Sequence, residues 1–100
     1  MIVRVDLPRG VQAAQLVHAA GESASTARGR LPSDTHAVVL GVCDEAELKS
    51  VRERLVLACL PHVVIVENDE PWTGQIMALG LEPARREAVR RVLSSLPLLK

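Results

Sequence analysis

The stretch Asp6-Leu7-Pro8-Arg9-Gly10-Val11-Gln12-Ala13-Ala14-Gln15-Leu16-Val17-His18-Ala19-Ala20 joins the end of an apolar strand to a helix built mostly of small residues. Such a helix is expected to approach its neighbour closely. At 100° per residue, Ala13, Ala14, Val17, Ala20, Gly21 and Ala24 share one broad face, which predicts the buried side. Val11, Gln15, His18 and Glu22 form a narrow stripe along its edge. The polar stripe is therefore expected where a buried face meets a cleft.

Working outward, Ile2-Val3-Arg4-Val5 reads as the first strand and Arg9 to Thr26 as the first helix. The segment 27–34, with Arg28 and Arg30, is a loop. His36 to Val42 is an unbroken apolar run, the mark of a strand covered on both faces. Asp44 with Glu47 predicts a capping box for a second helix, in which Leu48, Val51, Leu55 and Ala58 recur at helical spacing until Pro61. His62 to Val66 and Gln75 to Leu81 are two further strands. The connection between them is too short for a helical crossover, so they should run antiparallel. Pro83 opens the last helix, with Ala84, Ala88, Val89, Val92 and Leu93 inward. The order β-α-β-α-β-β-α predicts an α/β fold, a three-layer α/β/α arrangement around a mixed four-stranded sheet, with residues 1–100 as a single domain.

The 100 residues balance at a formal net charge of +0 and are 48% hydrophobic. That leaves enough apolar material for a core. Nothing global announces a nucleic-acid partner, so such a contact must come from a local patch. Arg85, Arg86, Arg90 and Arg91 crowd one short stretch and are the first candidates, with Arg28 and Arg30 as others. A solvated helix face is the plainer reading of the same arginines. Cys43 and Cys59 belong to no CxxC pair and are expected to be small buried hydrophobes of a cytoplasmic protein. No leader or membrane-length apolar run is apparent, and no His/Cys/Asp spacing resembles a metal site, so neither metal nor cofactor is expected.

The groups suited to chemistry collect at predicted strand ends. Gly10 lets a ligand approach the first amides of the helix, and His18 is a candidate general base beside Gln15. The simpler alternatives are turn geometry for Gly10 and a satisfied, partly buried imidazole for His18. The loop Glu67-Asn68-Asp69-Glu70-Pro71-Trp72-Thr73-Gly74-Gln75 brings acids together with Trp72, the only aromatic ring. That ring either caps the core or offers a face for stacking.

Taken together these segments resemble the class II peptidyl-tRNA hydrolase family. Arg4-Val5-Asp6-Leu7 matches its Arg-x-Asp-Leu strand end, and Gly10 to Ala19 matches Gly-Lys-x-Ala-Ala-Gln-x-x-His-Ala. Asp69 to Thr73 matches Asp-x-x-x-Thr, and the Leu-rich tail Leu96 to Lys100 is similar to the family's closing segment. The resemblance implies hydrolysis of the ester between a peptide, or an N-blocked amino acid, and tRNA. It assigns Asp69 to water activation and His18 and Gln15 to positioning. Thr73 and the helix-start amides would steady the oxyanion. Gly10, Arg4, Arg9, Trp72 and Gln75 would contact the substrate, and a homodimer, paired through the fourth strand or its neighbouring helix, is a further expectation. One departure stands out, since the family's lysine falls on Val11. That departure keeps a non-hydrolytic RNA- or protein-binding module in view, and transfer of the acyl group from tRNA to an amine needs the same ester site.

Overall fold

The computed structural model describes residues 1–27 and 32–100, so Arg28 and Arg30 lie outside the described residues. The elements follow the expected order: β1 (Ile2–Arg4), α1 (Arg9–Thr26), β2 (Leu40–Val42), α2 (Glu45–Leu57), β3 (His62–Val66), β4 (Ile76–Leu81) and α3 (Arg86–Leu93). They build one mixed sheet in the order β2-β1-β4-β3. β1 and β2 are parallel, while β4 runs antiparallel to both β1 and β3. β1, β2 and β3 therefore end on one side of the sheet, the side where β4 begins and where α1 and α2 start. In open α/β sheets this is the end that gathers ligands.

Alternation along the strands sends side chains to two cores. Ile2, Val42 and Leu79 face Leu48, Val51 and Leu55 of α2 and Leu93 of α3. Val3, Ile65 and Ala78 face Ala19 of α1, with Leu16 beside it. The closest approach is between Ala19 and Gly80, where a Cβ on the glycine would overlap the Ala19 carbonyl and press on Val63. The small-residue helix does sit tight on the sheet, but not by the face its composition predicts. Gln15, Ala19 and Ser23 are the buried positions of α1, whereas Ala13, Ala14 and Gly21 are exposed and Val17 is 71% exposed. Alanine and glycine gain too little on burial to set the helix rotation. Leu16, the Ala19–Gly80 contact and a hydrogen bond from Gln15 set it instead.

Other expectations are corrected as well. The second strand is only Leu40–Val42, and Val38 is exposed. Ile2 pairs with Leu40, and before it only single bonds remain: the Met1 amino group donates to the Val38 carbonyl at 2.8 Å and the Leu99 N–H to the Val39 carbonyl at 2.9 Å. α3 begins at Arg86, not at Pro83, and Ala84 is exposed, because Glu82 is still bonded to the Pro61 carbonyl and the chain must leave the sheet before it can coil. β4 lies between β1 and β3, so both its edges are occupied and it cannot pair two copies.

Both cysteines are exposed rather than buried. Cys43 precedes the α2 cap, where the Asp44 carboxylate accepts from the Glu47 N–H at 2.9 Å and Glu47 reaches back to the Cys43 N–H at 2.6 Å. The neighbouring Glu47 holds the Cys43 thiol above its ordinary pKa, which disfavours the nucleophilic thiolate. Cys59 ends α2 with φ 55, its N–H donating to Val56 and that of Leu60 to Leu55. These are the bonds of a Schellman turn, completed by burial of Leu55 and Leu60 in one core.

Two stability changes follow. Cys59→Gly removes the left-handed strain of a side chain at the cap and should raise stability by about 0.5–1 kcal/mol. Gly80→Ala should lower it by about 1–3 kcal/mol, because backbone must move to admit the methyl group. Urea midpoints at neutral pH read both.

Candidate active site

Two polar clusters lie at the shared strand end. The first is centred on Arg4, the last residue of β1, which is only 5% exposed. Its Nε and Nη2 donate to the two oxygens of Asp6 at 2.9 and 2.8 Å, a bidentate pair. Its Nη1 donates to the Gln75 side-chain oxygen at 2.8 Å and to the Ile76 carbonyl at 3.2 Å. Asp6 lies in the turn that leaves β1, two residues after Arg4, so the pair closes within one short stretch of chain. The guanidinium bonds hold the Asp6 carboxyl below its ordinary pKa and push that of Arg4 up.

The second cluster forms where α1 faces the end of β3. Gln15, His18 and Glu22 line one wall of an open cleft of about 370 Å³, and Val64 to Asn68 line the other. The Gln15 amide donates to Glu67 Oε2 at 3.0 Å. Glu67 Oε1 accepts from the N–H groups of Asn68 at 2.9 Å and Asp69 at 3.2 Å. These bonds, chiefly the one from the Asn68 N–H, hold the Glu67 carboxyl below its ordinary pKa, with Gln15 and the charge of His18 adding less. Glu67 is thus a fixed acceptor that ties the hairpin loop to α1.

The hairpin joins the two clusters. The Glu67 N–H donates to the Gln75 carbonyl at 3.0 Å and the Gly74 N–H to the Glu67 carbonyl at 2.8 Å, with Gly74 at φ 81. A positive φ there calls for glycine. Trp72 is half-buried, and its N–H donates to the Asp69 carbonyl at 3.1 Å.

The predicted site residues are therefore distributed unevenly. Gln15 and His18 share the cleft, and Asp69 lies one residue beyond its wall, fixed through its own N–H. Arg4 and Gln75 bind each other beneath the loop, and Thr73 is exposed on the loop. Arg9 and Gly10 are exposed in the first turn of α1, where a Cβ on Gly10 would meet no atom within 4 Å. That turn has no side-chain cap and no acidic residue, so its first N–H groups are open to an anion. Arg85, Arg86, Arg90 and Arg91 are exposed, but α3 follows the far end of β4, and Arg85 and Arg86 begin at the opposite end of the sheet from the cleft. Asp6, Glu67 and Asn68 belong to the clusters without having been picked out. The closeness of Asp6 to Arg4 in sequence signals their pair, whereas the pairing of Glu67 with Gln15 depends on helix rotation.

Acid should loosen this end first. Asp6 and Glu67 have depressed pKa values in the folded state, so the stability they contribute is fully present above their unfolded values and is lost as pH falls through the folded ones. Urea midpoints should thus fall from about pH 5 downward. Asp6→Asn should cost about 1 kcal/mol at neutral pH, since Asp6 is partly exposed, and should flatten the acid limb; an unchanged limb would count against the pair.

The comparisons with known proteins agree with this architecture. The family model described as peptidyl-tRNA hydrolase PTH2 matches residues 1–99. A peptidyl-tRNA hydrolase of Methanopyrus kandleri is 33% identical over 111 aligned positions, which span 100% of this chain and 96% of the relative. No helix among the described residues is long and apolar enough to cross a membrane. Matched along its whole length, from the β1 strand end through the α1 stripe to the closing tail, the chain belongs to the peptidyl-tRNA hydrolase PTH2 family.

Proposed function

We propose that this chain hydrolyses the ester joining a peptide to tRNA, at the cleft between α1 and the β3–β4 loop. Within the family assignment, the observation that carries this reading is the meeting of Gln15 and His18 with Glu67 and Asn68 in one open cleft, with Asp69 the next residue along. Ester hydrolysis needs a group to orient and deprotonate water and donors for the developing oxyanion. Asp69, exposed and held by its own N–H, takes the first role, and His18 and Gln15 position water and ester. The free amides at the start of α1, with Thr73, supply the donors. The tRNA lies along exposed arginines, for which Arg85, Arg86, Arg90 and Arg91 are the candidates among the described residues. The cytoplasm, where translation produces the substrate, is the expected setting.

Val11 favours a second reading, a domain that binds RNA or protein without hydrolysing, because it leaves the cleft without the expected lysine. Release of free tRNA from a purified peptidyl-tRNA separates the two. The hydrolase reading expects turnover by the wild type, a fall of about 10²-fold or more in Asp69→Asn and in His18→Ala, and a gain in Val11→Lys. Full activity in both loss variants would sink the residue assignment, and an inactive wild type that still binds tRNA would favour the binding module. Binding through the arginines should weaken steeply with salt.

A further inference from the structure

The two edges of the sheet are treated differently. Beyond β2 the C-terminal tail closes the edge: Gly41 N–H donates to the Pro97 carbonyl and Leu99 N–H to the Val39 carbonyl, each at 2.9 Å. Beyond β3 nothing among the described residues is paired. Glu82 donates to Pro61 and Glu67 to Gln75, and the register shift between Ile65 and Val66 skips a residue of β4 rather than of β3, so Pro61, Val63, Ile65 and Glu67 turn their main-chain groups toward β4. By alternation, His62, Val64 and Val66 turn theirs outward. Natural edge strands are blunted with charges, proline or bulges; here Pro61 and the register shift beside Val66 mark the two ends, and His62-Val63-Val64-Ile65 between them has no lysine or proline.

We propose that this free edge of β3 binds the peptidyl part of the substrate as an added strand running parallel to β3. The proposal rests on the hydrolase reading. One observation and two physical arguments carry it. The edge runs into the cleft, whose wall is Val64 to Asn68 opposite His18. An extended chain parallel to β3 brings its C-terminal carboxyl, the one esterified to tRNA, to the Glu67–Asn68 end. A substrate whose side chains vary without limit can be recognised only through what every peptide shares, its main chain, and strand addition recognises that.

The test uses peptidyl-tRNAs of one tRNA with one, two or four residues before the ester, and with N-methyl groups placed at successive peptide amides. Lengthening from one to four residues should raise kcat/KM about tenfold, the equivalent of one or two net hydrogen bonds. N-methylation should abolish the gain at every second amide only, and exchanging apolar side chains should leave it. Rates indifferent to length and methylation, with the shortest substrate still cleaved, would overturn the edge assignment and leave the hydrolase reading intact. Failure to cleave any of them would overturn both. A solution dimer that Val64→Pro converts to monomer would place a second copy on the edge and overturn the proposal equally. Val64 points its N–H outward, so the change removes no bond to β4.

Discussion

The Arg4 guanidinium is the constraint from which the rest of this end of the molecule follows. A cation this deeply buried is tolerated only when its donors are met, and here Asp6, the Gln75 side chain and the Ile76 carbonyl meet them. Two separate pieces of chain are thereby fixed to one point: the exit of β1, and the junction of the hairpin loop with β4 at Gln75 and Ile76. Ile76 is held from its other side too, its N–H donating to Glu45 Oε2 at 2.7 Å in the first turn of α2. The hairpin loop is consequently anchored at its β4 end by Arg4 and at its β3 end by Gln15 acting on Glu67. What lies between, Asn68 to Gly74, is carried on two fixed ends rather than by burial of its own.

How much of this is legible in the sequence depends on the kind of force involved. The element order, the antiparallel hairpin and the α2 cap rest on local rules: apolar runs, a short connection, Asp44 three residues before Glu47. Each was readable. The rotation of α1 was not, because its alanines and glycine contribute too little for their pattern to outweigh Leu16 and the Ala19–Gly80 contact. The length of β2 is hidden for a related reason, since it depends on which segments, β1 and the tail, come to lie beside it. The burial of Gln15 and the role of Glu67 share that cause. Both depend on which α1 face meets β3, a property of tertiary packing that no periodicity in a small-residue helix encodes.

Helix rotation also decides what the cleft can do. With Gln15 turned inward onto Glu67, His18 and Glu22 come to the rim on successive turns of the same face. Glu67 is satisfied by two main-chain N–H groups and one amide, so its negative charge needs no lysine to hold it in place. The carboxylate stays ionised and serves as an anchor, while the other two acids of this loop, Asp69 and Glu70, have exposed side chains.

The electrostatics of the cleft end then turn on Val11. Asp6, Asp44, Glu45, Glu47, Glu67 and Asp69 all lie at this end, and its buried cation, Arg4, is already neutralised by Asp6. A lysine one turn before Gln15 would place a full positive charge beside the developing oxyanion; a half-buried valine places none. What remains is the exposed Arg9 and the start of α1 itself, where the helix dipole concentrates roughly half a unit of positive charge on N–H groups that no side chain caps. An oxyanion held chiefly by main-chain donors, with Thr73 beside them, is a workable arrangement, because such donors are fixed by the helix and need no reorganisation as charge develops. It also makes catalysis depend on how accurately the ester is delivered to the first turn of α1. That demand falls on the substrate's other contacts, and an acyl chain laid along a strand edge supplies positional accuracy without any added charge.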